Sequence, residues 1–132
     1  MKPKRLVDLP VPGSGCGDIR ICSEANSIRI EYEYRWDGVD WVGCVHFLNV
    51  IAFRFRDEFH SVGYCSESYD SVAQIDDSDW LKELIAGEPS NKNVLGGKNH
   101  FAIFFSSNGY FEAIAEKYET PTPRRGFLSG GV

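Results

Sequence analysis

The sequence predicts an α+β fold: a strongly twisted, mainly antiparallel sheet of about six or seven strands with one short helix. Three observations predict it. Aromatic residues make up 14% of the chain, a composition suited to pleated, half-buried surfaces. Period-two alternation recurs in short runs divided by turn residues. Helical spacing with a cap and a stop occurs in one segment, so the alternation of strands with long helices that builds a parallel, doubly wound sheet is missing. The 132 residues, 42% hydrophobic and 25% charged, read as a single domain over 1–132 with a core large enough to need no disulfide or metal.

The first eighteen residues carry Pro3, Pro10, Pro12, Gly13, Gly15 and Gly17. They read as an extended arm and loop. The run Gly13-Ser14-Gly15-Cys16-Gly17 lacks the Lys and Ser/Thr of a phosphate-binding loop. From Ser27 to Trp36, Ile28, Ile30, Tyr32, Tyr34 and Trp36 alternate with Arg29, Glu31, Glu33 and Arg35. That period puts the apolar side chains on one face and leaves the charges wet on the other. Asp37-Gly38 supplies a tight hairpin. Trp41–Leu48 returns as a more apolar, central strand, Asn49 marks a bend, and 51–56 forms a third strand.

Two shorter strands are expected at 62–65 and 71–75. A helix follows over 76–86, with Ser78 or Asp77 as N-cap and Asp79 in the first turn, where the dipole favours a negative charge. Trp80, Leu81, Leu84 and Ile85 form its apolar stripe, and Gly87 and Pro89 end it. Residues 88–98 read as a loop. Strands at 100–106 and 110–118 are joined through Asn108-Gly109, a strong hairpin signal. The Thr120-Pro121-Thr122-Pro123 run introduces a flexible tail over 120–132.

Net charge is −5, and residues 57–83 hold most of the excess: eight acids against Lys82, or −7. A sequence-independent nucleic-acid binder needs the opposite sign, so that class is disfavoured. An acidic surface attracts basic partners or simply stays solvated. Cysteines stand at 16, 22, 44 and 65, and their spacing matches no common zinc frame, with or without His46. The basic start lacks the apolar run of a signal peptide, and no stretch approaches the length that spans a bilayer. The expectation is a cytoplasmic protein with reduced thiols, away from membranes.

Signatures of catalysis are missing: the chain has no GxSxG, HExxH or GxxxxGK[ST]. A pair drawn from Cys44 or Cys65 and His60 or His100 requires a contact that spacing does not give. Asp76, Asp77, Asp79 and Glu83 lack the frame of a calcium loop. No cofactor, metal or enzymatic activity is expected. Arg54 and Arg56 share a strand face and could grip an anion or pair with the outward Glu31 and Glu33 of a neighbouring strand, the cross-strand ion pair being the commoner outcome. Trp80 is either a core anchor or an interface anchor flanked by acids.

The combination Ser78-Asp79-Trp80-Leu81, then His100 opening an apolar strand, then Asn108-Gly109-Tyr110-Phe111-Glu112-Ala113-Ile114-Ala115-Glu116 resembles small bacterial immunity proteins of polymorphic toxin systems. The similar segment covers about residues 27–119, and its motifs are structural ones. The resemblance implies a cytoplasmic, non-enzymatic protein that binds and neutralises a cognate toxin domain, with no catalytic residues to carry over. Glu67, Asp70, Asp76, Asp77, Asp79, Trp80 and Glu83 are then the expected contacts with a basic partner surface. The alternative is a small-ligand-binding or enzymatic β-rich domain with its pocket on the concave sheet face.

Overall fold

The computed structural model describes residues 2–10, 16–56, 66–88, 90, 92–106 and 108–128. Ten strands occur in it: β1 (Lys2–Asp8), β2 (Cys16–Glu24), β3 (Ser27–Trp36), β4 (Val39–Leu48), β5 (Ala52–Arg56), β6 (Ser71–Asp76), β7 (Asn99–Phe105), β8 (Gly109–Ala115), β9 (Lys117–Glu119) and β10 (Arg124–Arg125). A 3-10 turn spans Ser66–Ser68, and two helices, α1 (Asp79–Gly87) and α2 (Lys92–Leu95), lie between β6 and β7.

The strands form two sheets where the sequence suggested one. Sheet I runs β1-β6-β7-β8-β5, and sheet II runs β10-β4-β3-β2 with β9 also on β4. All the named strand pairings are antiparallel. The division follows from two adjacent crossovers. After β4 the chain bends at Asn49, whose φ is 53°, and Ile51 N donates to Ile114 O at 2.8 Å. After β8 it bends back, and Glu116 N donates to Leu48 O at 3.0 Å. Asn49 Nδ2 also bonds the Glu116 carboxylate, tying the two bends together. Hence the run read as one strand over 110–118 is two, one in each sheet.

The core lies between the sheets. Ile30, Tyr32, Tyr34, Val45 and Phe47 from sheet II meet Val72, Phe101, Ile103, Phe105, Phe111 and Ala113 from sheet I. Ring pairs bridge the layers: Tyr32 to Phe105 at 5.5 Å and Phe47 to Phe101 at 5.7 Å. Each buried side chain of this size stabilises the fold by about 1.5–3 kcal/mol relative to exposure. Sheet I is apolar on its outer face as well, where Ala73, Ile75, Ala102, Phe104 and Tyr110 form a second cluster.

Several local expectations hold. Asp37 and Gly38 take φ of 52° and 74°, the two positive values a type I′ hairpin requires. Ile30, Tyr32 and Tyr34 are buried as the alternation of β3 predicts, but Ile28 is only half-buried, and Arg29 and Glu33, expected to be wet, are half-buried too. Three further details differ. Glu31, expected to be wet, is 7% exposed, because Arg20 and Leu128 close over that face. Trp36, on the apolar side, is 63% exposed at the last position of β3, beside the turn Asp37-Gly38. Arg54 does not pair with Glu31 or Glu33, since β5 and β3 belong to different sheets; its partner is Glu112.

The ends of the chain also differ from the arm and tail the sequence suggested. Lys2–Asp8 is β1, an edge strand on β6. Arg124 and Arg125 pair with β4, and Leu128 is buried. Prolines do not prevent either outcome, because an edge strand leaves backbone donors unneeded on one side. The strand expected at 62–65 lies outside the described residues.

Candidate functional site

Residues 76–83 join sheet I to α1 and contain most of the expected contacts. Ser78 is the N-cap of α1, with extended backbone, and its Oγ accepts from Leu81 N at 3.0 Å. Ser78 also reaches the sheet beneath. Its Oγ lies 2.7 Å from His100 Nδ1, and His100 Nε2 lies 2.7 Å from Glu112 Oε1. Arg54 closes the row, with Nε donating to Glu112 Oε2 at 2.6 Å and Nη2 to Oε1 at 3.1 Å. With the imidazole neutral, Ser78 donates its proton to Nδ1 and the Nε2 proton goes to Glu112.

These groups meet because β7 and β8 place them on the same outer face. Ala102 lies opposite Glu112, His100 is diagonal to it, and Arg54 is directly across on β5. His100, Glu112 and Ser78 are all buried. Burial pushes the Glu112 carboxyl up, but hydrogen bonds from His100 and Arg54 outweigh it and hold the group down at about 2. Every member of the row has a partner, the condition for a buried polar network to be stabilising.

Trp80 completes the cover. The Arg54 guanidinium carbon sits 3.9 Å from the Trp80 ring centre, and the His100 ring meets the indole edge-on at 5.3 Å. Trp80 is half-buried and anchors the first turn of α1 over the relay.

The acids around it differ from one another. Asp79 and Glu83 are exposed, stand one helical turn apart, and take no part in a salt bridge among the described residues. Asp77 pairs with Lys82, and that hydrogen bond lowers the Asp77 carboxyl and raises Lys82. Asp76 is 3.7 Å from Lys4 Nζ. Glu67 and Asp70 lie at the opposite end of β6, where Asp70 Oδ1 accepts from Ser106 N at 3.2 Å. The six residues of β6 separate the two groups by about 17 Å, so the seven expected contacts do not converge on one spot.

His100 and Glu112 were not singled out together by the sequence. A signal existed: each is a polar residue inside an otherwise apolar strand, and such residues need a buried partner. What spacing could not give is which partner. Chemically, a serine, an imidazole and a carboxylate in a row are the parts of an acyl-transfer triad. Here Ser78 Oγ is buried and already accepts from a helix N–H, and the row links the first turn of α1 to sheet I.

Elsewhere, Glu31 on the outer face of sheet II accepts from Arg20 at 2.9 Å and lies 3.9 Å from Arg124. Cys16, Cys22 and Cys44 form no disulfide among the described residues, and Cys65 lies outside the described residues. Among the described residues no group of three or more His, Cys, Asp or Glu is placed to hold a metal ion, and no helix is long and apolar enough to cross a membrane. A cavity of about 310 Å³ opens at the end of the inner face of sheet II, lined by Pro10, Tyr34, Trp36, Trp41, Thr122 and Pro123. Neither it nor the two smaller cavities beside it are lined by Ser78, His100 or Glu112. Compared with models of protein families, with curated proteins and with solved structures, the chain matches none.

Proposed function

We propose that this protein is an immunity-like inhibitor, which binds a cognate toxin domain in the cytoplasm and neutralises it without catalysis. The supporting observation is the exposed pair Asp79 and Glu83, free of salt bridges among the described residues, on a helix whose first turn is clamped to sheet I through Ser78, His100, Glu112 and Arg54. A rigid acidic surface suits a basic partner, because fixed charges steer the encounter and need no reordering on binding. Asp76 and Asp77 lie beside the pair and Trp80 beneath it, whereas Glu67 and Asp70 form a second acidic point at the far end of β6.

The test is affinity capture of the partner from the source cells, followed by association kinetics with the captured protein. Converting Asp79 and Glu83 to Lys changes net charge by +4 and touches no salt bridge among the described residues. Association is expected to slow about tenfold or more at low salt and to lose its salt dependence. An unchanged rate removes α1 from the interface.

One observation favours a second reading, that of a small-ligand-binding domain: the cavity beside Tyr34, Trp36 and Trp41. Quenching of tryptophan fluorescence by a small-molecule panel, abolished by Trp41→Ala, would support it.

A further inference from the structure

Sheet edges are places where another chain can add a strand, and natural proteins guard them. Three of the edges here are guarded. β1 carries Pro3 with Lys2, Lys4 and Arg5; β5 has five residues including Arg54 and Arg56; β9 and β10 have three and two residues. The free side of β2 is different. It is nine residues long with a bulge between Cys16 and Ile19, so Ile19–Glu24 is its regular run. It contains no proline or lysine, the run's charges Arg20 and Glu24 are of opposite sign, and it bears Ile21, which is 43% exposed. Among the described residues β2 pairs with β3 alone.

The charges of β2 are self-complementary. Arg20, Cys22 and Glu24 share the outer face, since they lie opposite Glu31, Arg29 and Ser27 of β3. When two copies of β2 run antiparallel about a two-fold axis at Cys22, Arg20 of each stands opposite Glu24 of the other. Ile21 then stands opposite Ser23 and diagonal to the second Ile21, within reach across the axis. Centring on Arg20 sets Arg20 against itself, and centring on Ile21 sets Asp18 against Glu24. Centring on Ile19 sets Arg20 against Asp18, but that register runs through the bulge between Cys16 and Ile19. Of the registers confined to the regular run Ile19–Glu24, the one centred on Cys22 makes two opposite-charge pairs while keeping like faces together. Glu24 has no salt bridge among the described residues. Arg20 uses three of its nitrogens towards Glu31 and Leu128 O but has five N–H donors, so it has donors to spare.

We infer that a second copy of this chain docks on β2, forming an isologous dimer with one continuous sheet in the order β10-β4-β3-β2-β2-β3-β4-β10. The interface is a single strand pair, below the area of a permanent dimer, so the association is expected to be reversible. The dimer does not depend on the toxin proposed above.

Sedimentation equilibrium of the full reduced chain, from about 1 to about 500 µM, is expected to show a reversible monomer–dimer equilibrium. Glu24→Arg turns both attractive pairs into repulsive ones at an exposed position and is expected to raise the dissociation constant at least about tenfold. Mild oxidation with diamide removes one hydrogen from each of two Cys22 thiols, reducing the reagent to its hydrazine. Peptide mapping is expected to find the resulting Cys22–Cys22 link, absent from Cys22→Ser. A monomer throughout that range overturns the inference. So does a dimer undiminished by Glu24→Arg that yields no Cys22–Cys22 link, and so does a monomer whose β2 amides gain exchange protection only with a different protein bound.

Discussion

The guanidinium of Arg54 lies over the indole of Trp80, 3.9 Å from the ring centre. One residue belongs to the edge strand β5 and the other to the first turn of α1, so this stacking joins the sheet to a helix that has no fully buried residue of its own. Arg54 is held at the same time by Glu112. Trp80 thus packs on two members of the row, Arg54 and His100.

Trp80→Ala is therefore expected to lower stability by about 2 kcal/mol, the sum of lost ring burial and a partly desolvated cation–π contact. Urea denaturation measures it directly. A variant with unchanged stability that binds its partner less tightly would make Trp80 an interface anchor instead.

The depressed Glu112 carboxyl gives an acid-sensitive fold. Its folded value of about 2 lies below the ordinary 4.5, so the stability it contributes is complete above pH 4.5 and is lost as pH falls towards 2. Glu112→Gln should cost about 2–3 kcal/mol at pH 7 and flatten the loss between pH 4.5 and 2. Denaturation midpoints across that range, for both proteins, check the sign.

Gly43 sits beneath Tyr32. A Cβ at Gly43 would stand 2.5–2.6 Å from the Tyr32 ring and hydroxyl, in a core where Tyr32 also packs on Phe105 and Tyr34. Gly43→Ala should destabilise by about 1–3 kcal/mol through overpacking. A double-mutant cycle with Tyr32→Leu should recover most of that cost, since the clash is with this ring.

The three described thiols should differ in reactivity. Burial pushes Cys16 up to about 12, with the Asp70 charge adding to it, and burial also raises Cys44. Both should resist alkylation at pH 8 in the folded protein and react on unfolding. Cys22 is half-buried and should react first. Mass-spectrometric mapping of the labelled cysteines at successive times decides the order.

The sequence by itself determined the local elements, because each is governed by neighbours along the chain. Alternation sets the two faces of β3, paired positive φ angles set the Asp37-Gly38 hairpin, and a serine before an apolar stripe sets the start of α1. It also concentrated the negative charge in residues 57–83. Only the tertiary structure decided that the strands divide into two facing sheets, since two bends, at Asn49 and Glu116, redirect the chain through bonds between residues far apart in sequence. The same is true of the buried row: Ser78, His100, Glu112 and Arg54 come from four elements, and their meeting depends on strand order and register. Burial of Glu31 follows likewise from where Arg20 and Leu128 cross sheet II. Periodicity fixes which face a side chain takes. What lies against that face is set by long-range pairing.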